Sequence, residues 1–144
     1  MAILIVLFGA WLMFREVGAR GVEAFGNWHD SARYALAVMF GFTGMAHFTK
    51  MKHDLARMVP SVFRAMPMVY FTGVCEWLGA AGLLVARTRE FAAVALIVMM
   101  IAMFPANIKA ARERLTLRGK RATALWLRVP LQVLFIGLLW WVRR

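Results

Sequence analysis

The stretch Tyr70–Ala86, YFTGVCEWLGAAGLLVA, most restricts what this chain can fold into. It is an apolar run of helix-spanning length, which reads as a membrane-crossing segment. Yet Glu76 stands near its middle, where an unpaired charge costs about 2.5–3.5 kcal/mol even on the lenient insertion scale. A fold that accepts this segment must therefore bring other polar groups to Glu76. Within the apolar segments those groups are His47, Asn107, Arg128 and Gln132.

Composition narrows the class. The chain has 144 residues, of which 62% are hydrophobic, so it reads as a single membrane-embedded helical bundle. Its net charge of +11 comes from arginines and lysines set between apolar runs, not along one soluble face. That pattern fits basic loops on anionic lipid and argues against a nucleic-acid partner. Cys75 is the only cysteine, which excludes an intrachain disulfide or a CxxC redox pair.

Five apolar segments predict an all-α, polytopic transmembrane bundle of four core spans plus an N-terminal extra helix. Segment a covers residues 2–14 and continues to about residue 25, where Glu16 and Arg20 stand four apart on one face. It lacks the basic start of a signal peptide, so a retained span is expected; the count falls to four if it is peripheral. Segment b covers 33–48, with Asp30 or Ser31 as its cap and Gly41 and Gly44 for close helix contact. Residues 51–63 read as an amphipathic helix lying in the interface, interrupted by Pro60. Segments c (68–86) and d (91–108) form a hairpin, with Gly73, Gly79 and Gly82 giving c small faces. Segment e covers 124–142, with Trp126, Trp140 and Trp141 near its ends. If all five cross, loops b–c and d–e share one side and hold ten Lys and Arg against seven on the other. The positive-inside rule then puts these loops and the N-terminus in the cytoplasm and the C-terminus outside.

Depth brings the polar residues together. On the side of loops b–c and d–e, His47 and Asn107 lie at the surface, Arg128 about 6 Å in, and Gln132 and Glu76 about 12 Å in. Pro105 and Pro130 sit at the same depth and free backbone carbonyls on the preceding turns. One reading is structural: Glu76 and Arg128 form a buried ion pair, and Gln132 and Asn107 satisfy leftover hydrogen bonds. The other is functional, a polar-floored pocket open to lipid, which intramembrane ionisable groups suggest by default. With three histidines, two of them in loops, no metal or haem site is expected. The eleven methionines read as flexible packing.

The order of motifs resembles the DoxX family of small bacterial membrane proteins: GFTGMAHF at 41–48, Pro60, FTGVCEWLGAAGLLV at 71–85, FPANIKAA at 104–111 and LWLRVPLQ at 125–132. The resemblance implies a helical bundle in the bacterial cytoplasmic (inner) membrane. It also implies interest in His47, Glu76, Pro105, Asn107, Arg128 and Gln132. It further implies a quinone as a possible cofactor and a soluble oxidoreductase as a possible partner; sulfur redox does not carry over to a chain with one cysteine.

Three functions follow as expectations. The first is a site for a quinone or other isoprenoid or lipid-like molecule, linked to redox or envelope stress. There Arg128 and Gln132 hold carbonyl oxygens and Glu76 relays a proton, in an apolar pocket with few polar groups. The second is an acid–base enzyme of isomerase or cyclase type, with His47 and Glu76 as acid and base and Asn107 and Trp126 stabilising charge. The third is a non-catalytic assembly subunit that docks a partner through its basic loops. Ligand, partner protein and oligomeric state are left open by the sequence.

Overall fold

A computed structural model describes residues 2–117, 119–121 and 124–144. Of the basic loop d–e, Arg118 lies outside the described residues, as do residues 122–123, and Lys120 and Arg121 are described by backbone alone. The described chain is helical apart from a two-residue β-ladder. Its elements are α1 (Ala2–Ala19), a 3-10 turn (Glu23–Phe25), α2 (Trp28–Ala46), α3 (Lys52–Met58), α4 (Ala65–Leu84), α5 (Arg89–Ala102), α6 (Phe104–Arg112), the strands β1 (Thr116–Leu117) and β2 (Lys120–Arg121), and α7 (Leu125–Val142). The ladder is antiparallel, pairing Thr116 with Arg121 and Leu117 with Lys120.

Local chemistry sets the helix ends. α1 stops at Ala19 instead of running on to residue 25, because Gly21 takes φ +103°, a backbone that favours glycine. α2 starts earlier than expected. Asn27 caps it, accepting the Asp30 N–H at 2.7 Å, while Ser31 Oγ turns back to the carbonyls of Phe25 and Asn27. The expected interfacial helix is one of seven residues, Lys52–Met58, which ends before Pro60. The apolar stretch expected over 91–108 divides at Met103, with Pro105 in the first turn of α6, where its missing N–H is tolerated. Pro130 remains inside α7.

Helices α2, α4, α5 and α7 pack in a ring, each touching the next and α7 returning to α2, while α1 lies outside the ring against α2. The core joins Leu7 of α1, Leu36 and Phe40 of α2, Leu83 of α4, Leu96 of α5, and Phe135 and Leu139 of α7. Glycine makes the close packing possible. A Cβ on Gly79 would stand 2.5 Å from Leu96, and one on Gly82 would stand 2.7 Å from Ala92. At one end of the bundle, Arg143 pairs with Glu90 at 3.0 Å, and His29 Nε2 lies 2.9 Å from the Trp141 carbonyl. The other end holds α3, α6 and the start of α7, tied by Lys109 Nζ donating to the Val59 carbonyl at 2.8 Å.

Among the described residues, three helical stretches are long and apolar enough to cross a membrane: Ala2–Ala19, Arg89–Arg112 and Leu125–Val142. This corrects the expectation of four core spans plus one. α2 opens on the polar turn His29-Asp30-Ser31 followed by Arg33, and α4 carries Glu76, Thr72 and three glycines. Both helices build the ring, but neither has the continuous apolar character of a span.

Candidate functional site

The closest packing between α2 and α4 surrounds two ionisable side chains. Gly73 of α4 faces the Cβ of His47, where an added methyl would stand at 2.5 Å. Gly44 of α2 faces the Trp77 ring, again at 2.5 Å, and the Cβ of Glu76 at 3.3 Å. With no side chain at either position, the helices approach until His47 Nε2 reaches 3.5 Å from Glu76 Oε1. That is ion-pair distance, a little long for an ideal hydrogen bond. Both residues are buried, His47 being 8% and Glu76 5% exposed. Phe48 and Trp77 stack beside them with ring centroids 4.7 Å apart, and Trp77 Nε1 donates to the Gly41 carbonyl at 3.1 Å.

The imidazole is held from its other nitrogen. His47 Nδ1 lies 2.8 Å from the Val69 carbonyl and 3.2 Å from Thr72 Oγ1. The carbonyl can only accept, so Nδ1 carries a hydrogen. Thr72 Oγ1 also lies 3.0 Å from the carbonyls of Met68 and Val69, so its own hydrogen goes to its helix and a lone pair faces the imidazole. With Nδ1 protonated, the Nε2 lone pair would meet a bare carboxylate unfavourably. A hydrogen on Nε2, as in an imidazolium, would make the 3.5 Å approach to Oε1 an ion pair. The second carboxyl oxygen, Oε2, is buried and has no hydrogen-bond partner among the described residues. A buried acceptor left so costs about 1–3 kcal/mol.

The remaining residues singled out in the sequence make separate contacts and are not brought to the His47–Glu76 pair. Arg128 Nη1 donates to Asn107 Oδ1 at 2.8 Å, joining α7 to α6. Gln132 Nε2 donates to the Met100 carbonyl at 2.9 Å, near the break before Pro105. Pro105 lines an open hollow with Lys109 and Arg112, and Trp126 is 72% exposed in the first turn of α7. Among the described residues the ion partner of Glu76 is thus His47, where depth alone had suggested Arg128. Depth had also put His47 at the surface and Glu76 about 12 Å in, and the close approach of α2 and α4 at Gly44 and Gly73 brings the two side chains together. Thr72, the Val69 carbonyl and the Phe48–Trp77 stack were missed. The first was within reach, since Thr72 precedes Glu76 by four residues on one helix face.

The family model described as Domain of unknown function (DUF8561) matches residues 36–143. No curated protein and no solved structure matches the chain. The match corrects the resemblance to DoxX, whose motif pieces all fall inside the matched residues. A proline break, a small-residue face and an interfacial arginine serve many small helical bundles, so short pieces of this kind do not separate one such family from another.

Proposed function

The chain belongs to the family of the Domain of unknown function DUF8561, and from its own residues we propose that it is a small helical membrane protein whose His47–Glu76 pair binds the polar end of a membrane-dissolved molecule. Its ligand class is an isoprenoid- or quinone-like compound with a hydroxyl or carbonyl group, and the pair exchanges one proton with it. The observation that carries this reading is the buried Glu76 Oε2, an acceptor with no hydrogen-bond partner among the described residues, on a carboxyl whose other oxygen lies 3.5 Å from His47 Nε2. Beside it, the half-exposed rings of Phe48 and Trp77 offer a flat apolar wall.

Membrane location is supported by what the three apolar stretches leave uncovered. Only 6% of Ala2–Ala19 and 17% of each of the other two is buried within the protein. Apolar surface on that scale calls for lipid or another protein. The end that carries α3 and α6 is rich in Lys and Arg, which favours the cytoplasmic face for it.

Mass spectrometry of the organic extract from gently purified protein tests the site. Glu76→Gln keeps the size of the side chain but removes the carboxylate charge and one of its two acceptor oxygens. One hydrogen bond to a charged group is worth about 1.5–3 kcal/mol, so the folded variant should retain the wild-type ligand at least about tenfold less well. Arg128→Leu, altered away from that pair, should retain it. Bulk phospholipid alone in all three would sink the proposal.

An acid–base enzyme acting on such a molecule is the second reading, favoured by the Nε2–Oε1 geometry, which gives one pair both a donor and an acceptor. Turnover lost in Glu76→Gln with ligand binding retained would select it.

A further inference from the structure

A second site lies at the basic end of the bundle, away from the His47–Glu76 pair. An open hollow of about 410 Å³ runs between α6 and the connection from α3 to α4. Pro60 and Pro105 form part of its walls, and its polar lining is Ser61, Lys109, Arg112 and Glu113. Lys109 is anchored by its bond to the Val59 carbonyl, which spends one of the three ammonium hydrogens and leaves two. Arg112 is the last residue of the stretch Arg89–Arg112 that could cross a membrane, so the hollow stands at headgroup depth on the reading above. Next to Ser61, Val62 and Phe63 are 87% and 53% exposed, apolar side chains that on the same reading would meet acyl chains below the headgroups.

The charge pattern selects among headgroups. Two cations and a hydroxyl suit a phosphate. The carboxylate of Glu113 opposes a purely anionic headgroup but complements a primary ammonium. We infer that this hollow binds the headgroup of phosphatidylethanolamine, its phosphate on Lys109, Arg112 and Ser61 and its ammonium on Glu113. Phosphatidylcholine presents no N–H to Glu113, and phosphatidylglycerol presents no cation. The inference rests only on the membrane location proposed above and not on the His47–Glu76 site.

The test uses the full chain in a neutral detergent. Short-chain phosphatidylethanolamine, phosphatidylcholine, phosphatidylglycerol and inorganic phosphate are each titrated while the thermal midpoint is followed. Wild type should be stabilised most by phosphatidylethanolamine. Glu113→Gln should bind it about fivefold more weakly and bind phosphatidylglycerol more strongly, as expected for removing an exposed charge contact. Arg112→Gln should weaken both. Arg112 and Glu113 are exposed, so both variants are expected to fold. Equal response to phosphatidylethanolamine and phosphatidylcholine, an unchanged preference in Glu113→Gln, or equal stabilisation by inorganic phosphate would each overturn the inference. If lipid has no effect while Glu76→Gln still loses its co-purifying ligand, the inference alone fails. A chain that stays monodisperse without detergent overturns the membrane location and this inference together.

Discussion

His47→Leu is expected to lower the unfolding free energy by about 3–5 kcal/mol, the usual cost of removing one partner from a buried ion pair. The substitution removes the Nε2 group 3.5 Å from Glu76 Oε1 and leaves the carboxyl with neither of its oxygens partnered among the described residues. Unfolding in mixed micelles measures it, with His53→Leu as the control. His53 is exposed on α3, and its replacement should cost less than about 0.5 kcal/mol. The double variant His47→Leu/Glu76→Leu should recover at least half of the loss, because an apolar pair of similar volume carries no desolvation cost. Equal effects for His47→Leu and His53→Leu would falsify the buried pair. A double variant as unstable as the single one would mean that packing around the imidazole, not the charge left behind, dominates.

The second large effect is one of opposite signs. Gly73→Ala is expected to destabilise by about 2 kcal/mol, since the new methyl meets the His47 Cβ at 2.5 Å and the Phe48 ring at 2.9 Å, and α2 must move away. Gly137→Ala, on α7, meets nothing within 4 Å. It should stabilise by up to about 1 kcal/mol, as the loss of glycine's backbone freedom predicts. The two thermal midpoints should therefore move apart from the wild-type value. A neutral Gly73→Ala would show that α2 and α4 are not in close contact at this level. The same variant carries a functional readout, because separating the helices also separates His47 from Glu76.

The all-helical architecture was legible in the sequence because apolar runs of helical length leave few alternatives. The chemistry of Glu76 was also legible in part: a carboxylate in an apolar helix must find a partner, and His47 was a candidate although depth counting put it at the surface. Arg128 was the more obvious partner because arginine is always charged. What decided between them was lateral position around the ring, which depends on how α2, α4, α5 and α7 are ordered. Gly44 and Gly73 hold that information, yet as glycines in a sequence they say only that something comes close, not what. The number of spans was overcounted for a related reason. A helix inside a ring of neighbours needs apolar residues for packing just as a span needs them for lipid, and α2 and α4 pack without meeting the requirements of a span.

The contacts of His47 also bear on how the chain assembles. Its imidazole reaches the Val69 carbonyl, 22 residues away in sequence, and the Thr72 hydroxyl, 25 residues away. Neither bond can form inside one helix, so both must wait until the loop between α2 and α4 has closed. The Nδ1 contacts of His47 therefore report that step. In a refolding experiment, helical content should rise as individual helices form, and the histidine signal should change only when α2 and α4 dock.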